Sequence, residues 1–135
     1  DSIGPSAALA TLKKYNDSKA DAHIISIGKK CKKIWHKAAK NNNLKIMISG
    51  LPSLASFEFI HDRSLELNTR FVIEMLRRGF LGFRQFKPSL AHTEEEMKRY
   101  KEAVSDVFKL LSSLSDDKII SSPIAQKGFY RLTKE

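Results

Sequence analysis

Cysteine is nearly absent from this chain of 135 residues, with Cys31 standing alone. No internal disulfide can form, which fits a reducing compartment. Long apolar runs are missing too. Nothing approaches the roughly 18 consecutive apolar residues that a membrane-spanning helix needs. The N-terminus lacks the basic and apolar regions of a signal peptide, so the expected location is the cytoplasm. There are only four prolines and six glycines, with no internal repeat and no low-complexity region. Acids are also scarce, 15 against 24 lysines and arginines.

What remains is an apolar fraction of 41% and a net charge of +9. The length fits one domain, and the apolar content is enough for a core. The positive charge concentrates between Lys13 and Lys45, where Asp17 and Asp21 are the only acids. The first reading of that run is a solvated helix face. The second is a phosphate-binding patch, and the third an excess balanced by an acidic domain elsewhere. Lys29, Lys30, Lys32 and Lys33 flank Cys31 and could lower its pKa. The plainer reading makes Cys31 a small residue on a helix face.

Periodicity sets the elements. Pro5 to Tyr15 is a helix-forming run begun by proline. Asn16 and Asp17 can end it and cap the next helix. From Ser18 to about Asn41, Ala20, Ile24, Ile27, Cys31, Ile34 or Trp35, and Ala38 recur at helical steps, with the lysines opposite. Gly28 interrupts that helix at a modest cost. Leu44 to Ser49 and Ala55 to Ile60 alternate as strands around a turn at Gly50-Leu51-Pro52, so they pair antiparallel. Asp62 or Ser64 caps a third helix. Its apolar side is Leu65, Thr69, Val72 and Leu76, with Phe71 and Met75 alongside. Gly79 is placed to follow its end. Phe80 to Phe83 predicts a third strand. Thr93 and Glu96 form a capping box for a last helix, which Ser115-Asp116-Asp117 ends. The residues after Lys118 form an extended or frayed tail. The expected fold is α+β, a small, mostly antiparallel three-stranded sheet covered by helices.

Chemistry-bearing motifs are missing. The sequence has no phosphate loop, no dinucleotide fingerprint and no nucleophile elbow. No histidine or cysteine pair has metal-ligand spacing. His23 and His36 are too far apart on one helix to share an ion. His61 and His92 read as capping or surface residues. The residues alone describe an α+β domain without a visible active site.

Three stretches add to that reading. They are Ile3-Gly4-Pro5-Ser6-Ala7-Ala8-Leu9-Ala10-Thr11-Leu12, Ser49 through Phe59, and Glu74-Met75-Leu76-Arg77-Arg78-Gly79-Phe80-Leu81 through Ala91-His92-Thr93-Glu94-Glu95. In that order they resemble the C-terminal part of the class III, fold-type I aminotransferases that use pyridoxal 5′-phosphate (PLP), closest to the glutamate-1-semialdehyde 2,1-aminomutase-like branch. The ending Gly128-Phe129-Tyr130-Arg131-Leu132-Thr133 resembles that branch as well.

The resemblance implies a division of the chain. Residues 1–16 would be a helix leading from a large PLP-binding domain, 17–114 the small C-terminal domain and 115–135 a tail. The Schiff-base lysine, the carboxylate on the pyridine nitrogen and the phosphate cradle belong to the large domain. Lys13 and Lys14 fall past that point. The chain, which starts at Asp1 without Met, is then expected to hold no cofactor and no catalytic residue of its own. Ser2 is the one candidate contact to the cofactor phosphate. A substrate-holding arginine of many class III enzymes falls on Gln85 here, with Arg84 beside it. Both are candidate substrate-binding residues, and the plainer reading of Arg84 is a solvent-facing strand residue. The parent would be a dimeric enzyme acting on a small amino donor and acceptor. The alternative function is a basic module binding nucleic acid or another polyanion. It lacks the stacking aromatics such a module uses.

Overall fold

The computed structural model describes residues 1–115, 118–119 and 123–125. Helix α1 (Ile3–Asp17) buries none of its residues. Ile3, Leu9, Leu12 and Tyr15 are all exposed along it. Asn16 and Asp17 end up inside α1 and do not cap its successor. Lys19, in the left-handed region at φ 49°, makes the turn into α2 (Ala20–Asn41) without a side-chain cap.

The expected stripe of α2 is buried at Ala20, Ile27, Cys31, Trp35 and Ala38, joined by Ala39 and Gly28. Asn42 closes the helix by donating from Nδ2 to the Ala38 carbonyl at 2.8 Å. Strand β1 (Ile46–Ser49) pairs antiparallel with β2 (Ala55–Phe59), Ile48 opposite Phe57. A one-turn 3-10 helix, Pro52–Leu54, connects them and lies against α2.

Helix α3 (Ser64–Arg77) differs from expectation in two ways. No side chain caps it; the N-cap is Arg63, whose amide donates to His61 Nδ1 at 3.0 Å. Its core stripe is Leu67, Phe71 and Met75, while Leu76 is 57% exposed. Thr69 is buried as expected and Val72 packs against the core, so only Leu76 of the expected side faces outward.

Glu74 is buried on α3 among Arg70 (3.0 Å), Arg77 (2.7 Å) and Arg78 (2.9 Å). Burial pushes its carboxyl up. The Arg78 hydrogen bond and the three guanidinium charges outweigh burial and hold it below its ordinary value. A depressed folded-state pKa stabilises the fold above the unfolded value, about 4.3, and that share is lost as pH falls through the folded value. Glu74→Gln is therefore expected to lower the denaturant midpoint at neutral pH. The deficit against wild type should shrink as pH falls below the unfolded value of about 4.3. A deficit unchanged by acid would contradict this account of the cluster.

Helix α3 ends in a paired-bond stop. The Gly79 amide donates to the Leu76 carbonyl and the Phe80 amide to that of Met75, with Gly79 at φ 80°. This explains why the strand expected at Phe80–Phe83 does not form. Phe80 is consumed in the helix stop, and the Gly82 amide turns back to the Phe80 carbonyl at 2.7 Å. The chain reaches β2 only at Arg84, whose carbonyl accepts from Phe57. Strand β3 is Gln85–Phe86.

Helix α4 (Glu94–Ser112) starts as expected, with Thr93 Oγ1 accepting from the Glu96 amide at 3.3 Å. It runs beside α2 in the same direction, as the pairs Lys30–Glu94 and Trp35–Tyr100 show. The sheet has the order β1-β2-β3 and is antiparallel throughout. Helices α2, α3 and α4 cover one face, and the other exposes Met47, Ser49 and Glu58. The fold is α+β with a three-stranded sheet, as anticipated. In the tail, Ile119 enters the core and the Ala125 amide donates to Thr69 Oγ1 at 3.1 Å. Asp116, Asp117 and the stretch Gly128–Thr133 lie outside the described residues. Among the described residues, no helix is long and apolar enough to cross a membrane.

Candidate functional site

The segment after α3, β3 and the first turns of α4 enclose an open cleft of about 420 Å³. Its aromatic lining comes from Phe80, Phe83, Phe86 and Tyr100. Tyr100 anchors the group, 5.7 Å from both Phe80 and Phe86 between ring centres. The polar lining is Gln85, Lys87, His92 and Glu96. This mixture of flat apolar surface and few polar groups is the usual make-up of a small-molecule site.

The polar groups are partly committed. His92 stacks edge-on against Phe86 at 4.9 Å and accepts the Ser89 amide at Nδ1, 3.0 Å away. That bond leaves the proton of the neutral ring on Nε2. Glu96 holds Arg99 at 3.2 Å. Tyr100 turns its hydroxyl inward, where it accepts from Trp35 Nε1 at 2.9 Å. Burial raises the Tyr100 pKa well above its ordinary value, so the phenol stays neutral.

The two candidate substrate residues are separated. Gln85 is exposed in β3 and lines the cleft. Arg84 sits at the bend before β3 and not in the strand. Its guanidinium donates to Glu58 at 3.0 Å and lies 5.6 Å from the Phe83 ring centre. It lines a small pocket against Leu65, Thr69 and Val72 instead of the cleft. Among the described residues no arginine lines the cleft, so they offer no bidentate fork for a carboxylate in it. Ser2 is exposed at the start of α1 with no capping bond and lines no part of the cleft.

Cys31 follows the plainer of its two readings. It is fully buried, and burial pushes its thiol far up despite the neighbouring lysines, of which Lys30 pairs with Glu94 and Lys32 donates to the Gly50 carbonyl. It packs as a small apolar residue and is not a nucleophile. Among the described residues, no cluster of three or more His, Cys, Asp or Glu could hold a metal ion.

The cleft does not fit a resident pyridoxal cofactor. Among the described residues its one lysine is Lys87, with no phosphate cradle beside it. The nearby start of α4 carries Glu94, Glu95 and Glu96 in its first turn, which repel a phosphate there. The aromatic lining went unrecognised in the sequence. The available signal was Phe80, Phe83 and Phe86 recurring every third residue through a segment that is neither helix nor strand. No known family, curated protein or solved structure matches this chain.

Proposed function

We propose that the chain is the C-terminal domain of a PLP-dependent aminotransferase or aminomutase of class III, forming the substrate side of its active site. One observation carries the reading. The segment Gly79–Glu96, where the resemblance is most specific, is the segment that builds the aromatic cleft. The unburied α1 supports it. Its exposed Ile3, Leu9, Leu12 and Tyr15 suit a helix whose cover is a large domain. In this reading the large domain holds the cofactor and performs the chemistry in a cytoplasmic homodimer. This chain shapes the choice of amino donor and acceptor.

Gln85 then stands where many relatives of that class carry an arginine, so the substrate is not held here by a carboxylate fork. The test is amino-group transfer by the full-length protein, using a dicarboxylic and a monocarboxylic 2-oxo acid as acceptors. A charge-assisted fork contributes about 1.5–3 kcal/mol. Gln85→Arg is thus expected to lower KM for the dicarboxylic acid by roughly tenfold or more and to leave the other unchanged. Absence of transfer by both proteins would sink the reading.

A further inference from the structure

Lysines that lie far apart in the sequence meet between α2 and α4. Two shallow cavities of about 300 Å³ each share Lys33, Ile34 and Lys101 and so form one groove. Lys30, Lys33 and Lys37 line it from α2, and Lys98 and Lys101 from α4. From Lys30 to Asn41 it runs roughly 16 Å along the helix, at about 1.5 Å per residue.

Most of its charge is not neutralised by an ion pair among the described residues. Among the described residues Glu94 is the only acid in the lining, and it pairs with Lys30. Lys33, Lys37, Lys98 and Lys101 form no ion pair among the described residues. Lys33 and Lys37 are spaced i,i+4 and Lys98 and Lys101 i,i+3, so each pair repels across one helix turn. The two pairs also face each other across the groove. An anion laid between them relieves all of these repulsions together.

The lining narrows the kind of anion. Among the described residues no aromatic lines the groove, so they offer bases nothing to stack on. Nor does any described arginine line it, so they offer no fork for base edges or for planar carboxylates. Lysines act as point charges and suit phosphate oxygens. We propose that this groove binds a phosphate chain, either a nucleic-acid backbone or inorganic polyphosphate, through Lys33, Lys37, Lys98 and Lys101. Helix α4 lies between it and the aromatic cleft, with Lys98 and Lys101 on one side, Glu96 and Tyr100 on the other, and Met97 lining both. The site is independent of the aminotransferase reading.

The test is fluorescence anisotropy of a labelled oligothymidylate titrated with the full 135-residue chain at several salt concentrations. Four lysine–phosphate contacts on a single strand give a slope of log K against log salt of about −2.8. The triple variant Lys33→Gln, Lys37→Gln, Lys101→Gln is expected to bind at least tenfold more weakly and to flatten the slope by about 2. Lys33→Arg, Lys37→Arg, Lys101→Arg keeps the charge and should keep the binding. A control with the same charge loss elsewhere, Lys13→Gln, Lys14→Gln, Lys45→Gln, should bind within about twofold of wild type. Equal weakening by the two glutamine variants would mean a bulk charge effect and overturn the site. Inorganic polyphosphate should displace the oligonucleotide at comparable phosphate concentration. The tighter of the two, per phosphate, identifies the source. Displacement by polyglutamate as effective as by polyphosphate, or no saturable binding, would also overturn it.

Discussion

Truncating Phe57 to alanine is expected to remove about 4 kcal/mol of stability, a large part of what a domain of this size possesses. The ring is fully buried. It touches one aromatic from each covering helix and one from its own strand. Ring centres lie 4.8 Å away at Trp35 on α2, 5.2 Å at Phe71 on α3, 5.8 Å at Phe108 on α4 and 5.4 Å at Phe59 on β2. Four of these contacts are tilted or edge-on, arrangements that add to simple burial. The cavity left by Phe57→Ala opens at the point where three helices meet the sheet, so no single element can shift to fill it. Urea titration should show a lower midpoint with an unchanged slope. Met47→Ala, on the open face of the same hairpin, should change stability by no more than about 0.5 kcal/mol. A loss below about 1 kcal/mol at Phe57 would mean that the core is not centred there.

Gly28→Ala is expected to destabilise by about 3 kcal/mol, the upper end of overpacking effects. Helix propensity alone predicts the opposite sign, a gain of about 1 kcal/mol inside a helix. The structure decides between them. A Cβ at Gly28 would sit 1.8 Å from the Pro52 carbonyl oxygen and 2.5 Å from its carbon. Those are backbone atoms of the 3-10 turn, held on both sides by β1 and β2, and they cannot swing aside as a flexible side chain would. Gly4→Ala in α1 is the matched control, because nothing lies within 4 Å of its Cβ position. It should gain up to about 1 kcal/mol in helix stability. Thermal unfolding of the two variants side by side checks both signs. A Gly28→Ala protein as stable as wild type would show that the turn does not press on α2.

The contrast at Gly28 shows what the sequence carried and what it did not. Local periodicity placed α2, the hairpin and α4 well, because each has a strong apolar repeat. The capping box at Thr93 and the stop at Gly79 were legible for the same reason: both are determined within a few residues. Long-range approach was not. Gly28 reads as a weak point in a helix until Pro52 is seen against it. Phe80–Phe83 reads as a strand because its residues favour one, yet the helix stop takes Phe80, and pairing with β2 begins only at Arg84. Arg84 and Gln85 read as neighbouring candidates for one substrate, yet Arg84 turns to Glu58, 26 residues away in the sequence. The lysine groove needed two helices set side by side. The lysine run on α2 reads as a solvated face until α4 brings Lys98 and Lys101 beside Lys33 and Lys37.

The visible absorption of the full-length protein, recorded before and after borohydride, tests the central claim most directly. The account predicts a band from a lysine-bound pyridoxal aldimine that borohydride abolishes, with no such band in the isolated 135-residue chain. A folded full-length protein without that band would contradict it, and would leave the aromatic cleft without an aminotransferase to serve.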